Sequence, residues 1–569
     1  MNGLERWTPK LVLSLRHYTA QEFVADLIAG LTVGLVALPL AMAFAIASGV
    51  PPQAGIYTAV VAGFIISALG GSRVQIGGPT GAFVVIVAGI IAKFGVSGLM
   101  IVTLMAGVIL ILMGVTGLGT AVKFIPRPVT IGFTNGIAVL IASTQFNDFL
   151  GLKIDAVPSE FLGRMQAIFS HLGTVNWPTL ALSVMSLSII LLWPKLTRRV
   201  PGSIIALLGC TLAVAVFGLQ VETIGSKFGG IPQGFPPFAL PAFKPELIVP
   251  LLPAALTVAL LAALESLLSA VVADSMTGDR HNSNVELIAQ GAANIVCPLF
   301  GGIPATGAIA RTATNIRSGA KTPVAGIVHA ATLLLILLVA APLARFVPLA
   351  TLAAVLFVVA YNMGEWREVG VILRLSKADK AVWLATFVLT VFADLTVAVE
   401  VGISLAALLY IYRVSQTTTV AAVTPEYIAE SRLHVLQDKE VPPYVTILRI
   451  HGPFLFGTTE KLDEATANLN QFSSVVILRL RNMTALDATG LHAFETLAER
   501  LRKSGRSLLL CGAREQPALL LERAEFIEHV GQQNILPHVS AALDRARRIN
   551  EAFSGLADDV AASQRDKLI

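Results

Sequence analysis

Charge is scarce in this sequence. Asp, Glu, Lys and Arg make up 14% of its 569 residues, against 55% hydrophobic, and the mean hydropathy is +0.74. A soluble domain of this size needs far more polar surface, so most of the chain is placed in lipid. Cysteine is scarcer still. Cys210, Cys297 and Cys511 lie far apart with no CxxC spacing, which excludes a disulfide framework and a zinc site. The nine histidines are scattered without metal-ligand pairing. The absence of a P-loop argues against an ATP-driven pump. No nucleophile–base constellation stands out, so neither an enzyme nor a cofactor is expected. The net charge is only +5, and the basic residues sort by loop rather than into a patch, so no nucleic-acid partner is expected. No secretory signal precedes the first apolar run. Residues 1–25, with Arg6, Lys10 and Arg16, are expected to lie along the cytoplasmic membrane surface.

The most informative stretch is GGIPATGAIARTATNIRSGAKT, Gly301 to Thr322. Gly301, Gly302 and Pro304 break any helix there, and a new one is expected to start at about Ala305 or Thr306, with Arg311 on its second turn. A half-helix at membrane depth turns unpaired N–H groups and a positive dipole end into a cavity, which suits an anion. Irregular backbone is tolerated there only when buried in protein or lining water. An intramembrane Arg is expensive and usually functional. About 224 residues earlier, GGPTGAF (Gly77 to Phe83) echoes GGIPATGAI. Broken hydrophobic segments in matching places of two halves point to a transporter binding site.

Read in order, the apolar runs fall near 26–49, 54–70, the short 80–94, 97–117, 127–149, 176–195 and 201–219. After a Pro/Gly-rich connection they continue near 249–273, 284–300, the short 305–318, 323–341, 347–361, 378–393 and 396–413. Each half has seven runs, and the third of each is the broken one. An odd repeat forces the second half to enter the membrane from the opposite side, giving inverted repeats over about 26–219 and 249–413. With the N-terminus inside, Lys and Arg divide roughly fourteen to six in favour of the inner loops, as the positive-inside rule requires. Both termini are then cytoplasmic, in a bacterial inner membrane.

Glu265 sits in the middle of LLAALESLLSAVV, where its charge is costly unless it is paired or protonated. It shares a helix face with Ser269 at i, i+4. This suits a proton carrier that pairs with Arg311, or with a polar neighbour, when the site is empty; the alternative is a structural contact between helices. Asp274 is expected to cap the eighth span or bond a loop. His329 is expected to make an interhelical hydrogen bond or to titrate. Asn135, Gln145, Asn147 and Asp148 read as packing groups and an outer helix end. Asp394 and Glu400 bracket the start of the last span without an assigned task.

Beyond Arg413 the composition changes. A linker (414–443) leads to alternating strands and helices over 444–550, a small α/β domain with a partly parallel sheet. Residues 551–569 read as a flexible tail.

The first span (GLTVGLVALPLAMAFAIASGVPPQAGIYTA), GGPTGAF, the block ESLLSAVVADSMTGDRHNSNVELIAQGAANI and GGIPATGAIARTATNIRSGAKT together resemble the SulP family of anion permeases. The C-terminal part resembles a STAS domain, with LDATGL at its signature turn. The resemblance implies fourteen spans in a seven-plus-seven inverted repeat, divided into core and gate domains. It implies an anion held by the backbone of Thr80, Gly81 and Ala82 facing that of Thr306, Gly307 and Ala308. Phe44 would form an apolar wall, Arg311 would supply positive potential, and Glu265 with Ser269 would occupy the coupling-ion position. Leu40 stands where many relatives carry Gln. Within the family the chain resembles the bacterial C4-dicarboxylate branch, which implies proton-coupled symport of succinate, fumarate or aspartate. Sulfate or bicarbonate transport, or anion exchange, is the alternative, and a membrane sensor presenting its STAS domain a more distant one. The family also implies a homodimer and a cytoplasmic protein partner for the STAS domain. Asp487 reads as a helix N-cap, and Thr489 stands where regulatory relatives are phosphorylated.

Overall fold

The computed structural model describes residues 7–120, 126–154, 157–158, 160–197, 201–240, 245–393, 395–423 and 441–565. Two compact units divide at Ala406/Ala407. Asp394 lies outside the described residues, as does most of the expected linker.

The first unit is helical. Short α1 (Lys10–Leu15) precedes α2 (Ala20–Ala47), α3 (Pro52–Leu69), α4 (Gly81–Val115), α5 (Arg127–Leu150), α6 (Phe161–Ser170), α7 (Trp177–Leu196) and α8 (Gly202–Phe217). Then come α9 (Ile224–Phe228), α10 (Ile248–Thr277), α11 (Ser283–Val296), α12 (Ile309–Arg317), α13 (Val324–Val339), α14 (Leu349–Met363), α15 (Trp366–Ile372), α16 (Lys377–Phe392) and α17 (Leu395–Thr417), which contains the division between the units. Each of the fourteen expected runs lies on one of these helices. The third and fourth share α4, which breaks at Gly95, where φ is 70°.

The helices pack as two groups. One comprises α2, α3, α4 and α10 to α13; the other comprises α5, α7, α8, α14 and α16, joined by α17, whose Gly402 meets Thr386 and Val129. These are the expected core and gate, each drawn equally from both halves. In the core, α4 and α11 meet backbone to backbone. A Cβ added at Gly107 would lie 2.7 Å from the Gly291 carbonyl, and one at Gly291 would lie 2.6 Å from that of Gly107. With no hydrophobic drive between helices in lipid, such close approach supplies the attraction through dispersion. Outward faces carry exposed apolar side chains such as Leu192, Leu208, Leu212 and Val216, which suits lipid contact.

Buried acids fasten the loops between core helices. Asp26 accepts from the Lys321 amide (2.7 Å), the Thr322 amide (3.1 Å) and hydroxyl, and the Tyr18 hydroxyl (3.0 Å). Glu286 accepts from the amides of Gly71 (2.9 Å) and Ser72 (3.2 Å) and from Gln290 Nε2 (2.8 Å). Asp274 takes the expected loop-bonding role: its carboxylate meets the His281 amide at 3.1 Å and His281 Nδ1 at 2.6 Å. Asn135 bridges spans, donating to the Gly364 carbonyl and accepting from Trp383 Nε1.

The second unit contains a five-stranded sheet in sequential order: β3 (Thr419–Ala422), β4 (Val445–Phe454), β5 (Val475–Leu486), β6 (Ser507–Cys511) and β7 (Ile535–Leu536). β3 is antiparallel to β4 and the others are parallel. Helices α18 (Glu460–Ala465), α19 (Ala488–Lys503) and α20 (Glu515–Arg523) cover one face with Phe454, Phe494 and Leu478. Short α21 (Ile527–Val530) follows, and α22 (Val539–Arg565) covers the other face, over Val445, Ile477 and Leu509. The expected linker thus contains the first strand. The expected tail is a correction too: α22 continues as helix through Arg565. Strands β1 (Gly77–Gly78) and β2 (Thr306–Gly307) belong to the first unit and lie at the candidate site.

Candidate functional site

The two Gly/Pro-broken stretches meet. β1 (Gly77–Gly78) pairs antiparallel with β2 (Thr306–Gly307), with Gly77 opposite Gly307 and Gly78 opposite Thr306. Pro79 and Pro304 prevent helix on the approaches, and Gly78 has φ 147°, a conformation that favours glycine. The ladder is extended by the Ala308 amide, which donates to the Ile76 carbonyl at 2.8 Å. Side chains supply the remaining bonds. Asn294 holds Ala305 from both sides, accepting from its amide (2.9 Å) and donating to its carbonyl (2.8 Å). Thr312 Oγ1 accepts from the Ile76 amide (3.0 Å), and Asn315 donates to the Val74 carbonyl (2.9 Å). Buried irregular backbone is thereby satisfied, as membrane depth demands.

Two helices leave this ladder, and no side chain caps the N-terminus of either. α4 begins at Gly81 after Thr80, and α12 begins at Ile309 after Ala308. The second start is later than the sequence suggested. Thr306 and Gly307 are therefore ladder residues whose backbone pairs with β1. On the α12 side the open amides belong to its first turn, and Arg311 lies on that turn rather than the second.

Arg311 is 3% exposed. One guanidinium nitrogen donates to the Pro79 carbonyl, just before the start of α4. The other, Nη1, is buried without a hydrogen-bond partner, as is Thr80 Oγ1. Nη1 also fills the space beside Gly78, where an added Cβ would lie 2.7 Å from it. A guanidinium nitrogen without a partner, its fixed charge and two uncapped helix N-termini converge on one place. Buried donors without partners are costly, and an anion would satisfy all of them.

Apolar groups close the other side. A Cβ at Gly81 would lie 3.1 Å from Ile141 Cδ1, 3.3 Å from Phe44 Cε1 and 3.4 Å from Met363 Cε. Phe44, on α2, is one of these groups. Ile141 and Met363, from the gate helices α5 and α14, escaped sequence reasoning because nothing distinguishes them from other apolar span residues.

α10 runs beside the ladder. The Ala262 carbonyl accepts from Thr306 Oγ1 (2.8 Å), and the Ser266 carbonyl accepts from Gln75 Nε2 (3.2 Å). Ser269 donates to Thr312 Oγ1 at 3.0 Å, so its hydroxyl is engaged with α12 and braces that helix. Glu265 lies within electrostatic reach of Thr80 and Arg311. Among the described residues no ion pair joins it to Arg311, the first of the two partners expected in an empty site, and Thr80 is the polar neighbour within reach. Glu265 also lines a cavity of about 30 Å³ between core and gate, with Val129, Thr130, Phe133 and Thr134 of α5 and Ile403 of α17. That volume suffices for a water molecule. His329 is fully buried against Gly63 with neither ring nitrogen hydrogen-bonded, so the expected interhelical bond is not formed.

In the second unit, Asp487 caps α19, accepting from the Gly490 amide at 2.8 Å, and its other oxygen accepts from the Phe456 amide at 2.9 Å. Thr489 is exposed on the first turn.

The sulfate permease family model matches residues 23–386, and the STAS domain model matches residues 437–542. The chain belongs to the sulfate permease family. The protein named "Putative sulfate transporter YvdB" of Bacillus subtilis is 45% identical over 92% of this chain and 98% of its own length. The bicarbonate transporter BicA of Picosynechococcus is 32% identical over 94% of this chain and 96% of its own. The solved transmembrane domain of a cyanobacterial BicA superposes with a TM-score of 0.62 at 31% identity, covering 68% of this chain and 98% of that one. Murine Slc26a9, at 19% identity, shares the fold of this family member with a TM-score of 0.85 over 96% of this chain and 94% of its own.

Proposed function

We propose that this sulfate permease family member is a secondary transporter of a small inorganic oxyanion, sulfate first, working by alternating access in the inner membrane. The observation that carries the reading is the orphaned Nη1 of buried Arg311, set between two uncapped helix N-termini. The relatives named above bear the names of sulfate and bicarbonate transporters and lend no support to the C4-dicarboxylate expectation. The side chains nearest Gly81 are the apolar Phe44, Ile141 and Met363, which suits a compact anion.

Charge balance suggests the coupling. Arg311 contributes one positive charge and each helix end about half of one, so the cradle carries about +2. A sulfate dianion is matched when Glu265 is protonated. A monovalent bicarbonate is matched when Glu265 is ionised, which makes bicarbonate the second reading, favoured by the likeness to BicA. In this scheme a proton on Glu265 accompanies sulfate inward, and movement of core against gate carries both across.

The test is uptake of labelled sulfate, bicarbonate and succinate into proteoliposomes under imposed inward proton or sodium gradients. Proton-stimulated sulfate uptake, lost in Arg311→Ala, is expected. Bicarbonate uptake without sulfate uptake would establish the second reading. Succinate uptake alone would restore the dicarboxylate one, and no uptake of any anion by folded protein would favour a sensor.

A further inference from the structure

The second unit has a cavity that none of the above employs. It measures about 270 Å³ and is lined by Arg479, Arg481, Cys511, Arg514 and His538, with Ser540 at its edge. It opens at the carboxyl end of β6 and beside the middle of parallel strand β5; the carboxyl ends of parallel strands are where open α/β sheets hold ligands. The strand pattern explains the arginines. Val475 and Ile477 point to the α22 face, so Arg479 and Arg481 continue that series beyond the end of the apolar core. Arg449 of β4 is in register with Arg479. Like charges opposed across a sheet are unfavourable. Arg449 and Arg479 have further interactions that hold them. Arg481 and Arg514 are exposed, and among the described residues neither has an ion pair. No acid lines the cavity. The first turn of α22 borders it too, starting where the Ala542 amide donates to the His538 carbonyl at 3.2 Å.

We propose that this cavity binds a phosphate group carried on a small molecule. Arginine forks match phosphate oxygens two at a time, and the open amides of a helix start add to them. The volume corresponds to roughly nine waters at about 30 Å³ each, which exceeds a bare phosphate and leaves room for the group bearing it. The site lies on the α22 face, whereas α19, which carries the Asp487–Thr489 turn, packs on the other.

The experiment is equilibrium dialysis of the purified full-length protein against labelled glycerol 3-phosphate and, separately, labelled inorganic phosphate. Saturable binding near one per chain is expected. It should weaken by about tenfold or more in the Arg481→Ser/Arg514→Ser variant, and several-fold in Arg514→Lys, which keeps the charge but loses the fork. Glycerol 3-phosphate binding should be unchanged in Arg311→Ala. Both arginine side chains are exposed, so the double variant keeps its fold; its melting temperature checks this, and Arg514→Glu tests charge alone. Tighter glycerol 3-phosphate identifies a phosphorylated metabolite, and equal affinity identifies free phosphate at the same site. Absence of saturable binding overturns the proposal, as does binding that survives the double variant, or glycerol 3-phosphate binding that disappears in Arg311→Ala.

Discussion

Arg311 of the second repeat donates to the carbonyl of Pro79 in the first, across 232 residues of sequence. One bond thus fixes the cation of one half at the helix start of the other. Arg311→Ala should abolish anion uptake, by about 100-fold or more, because the developing contacts act in a water-excluded site. Arg311→Lys keeps a charge but cannot both hold Pro79 and present a second nitrogen, so uptake should fall at least about tenfold. Initial rates in proteoliposomes, normalised to inserted protein, decide this.

Gly78→Ala tests the same corner from the backbone side. The position combines φ 147° with Nη1 at 2.7 Å from any added Cβ. Strain of about 1–3 kcal/mol is expected. Both the melting temperature of the purified protein and uptake should drop; a variant with unchanged melting would show that the ladder can shift.

Glu265→Gln imitates a permanently protonated carboxyl. Sulfate uptake should persist but lose its stimulation by an inward proton gradient, and any bicarbonate uptake should diminish. A pH series of initial rates is the measurement. A variant with the same pH profile as the parent would remove Glu265 from the coupling.

Gly81→Val places methyl groups against Ile141 and Phe44, where even a Cβ is within 3.1–3.3 Å. Transport should be blocked while expression and melting stay near normal, since the neighbours are side chains that face the site. Unimpaired uptake would move the anion elsewhere.

Asp26 predicts an alkaline limit. The hydrogen bond to Asp26 and burial push the Tyr18 phenol from about 10 up to about 12, with burial the larger cause. The raised value favours the neutral phenol in the fold, so its contribution is complete below pH 10 and is lost as the pH rises through about 12. Melting temperature should fall over that window, and Tyr18→Phe should flatten the fall. Asp26→Ala strands several buried donors and should cost about 2–4 kcal/mol at neutral pH.

The spans were legible because lipid leaves a coarse record: long apolar runs, broken twice by Gly and Pro. The third runs of the two halves could be matched because GGPTGAF and GGIPATGAI share their breakers. The ladder between them was not legible, since two-residue strands have no period. Nor was the start at Ile309, because Thr306 and Gly307 are as consistent with a helix start as with a strand until Gly77 and Gly78 are seen opposite. Ser269 shows the same limit: its spacing from Glu265 is a helix-face fact, but Thr312 on another helix claims its hydroxyl. In the C-terminal unit, β3 and β7 are too short or too close to the membrane helix to stand out, while the long β5 and α19 did.

The β1–β2 ladder also bears on how the chain is made. Gly77 and Gly78 have their pairing partners roughly 230 residues further on. At about 5–20 residues per second, the first repeat waits roughly 10–45 s for them during synthesis. Through that interval the backbone around Gly77 and Gly78 lacks its partners at membrane depth, where each unpaired group is expensive. The first half is therefore an incomplete object on its own. A ribosome stalled between the repeats would leave a nascent membrane protein with an open strand edge, a natural handle for an insertion chaperone or a quality-control protease.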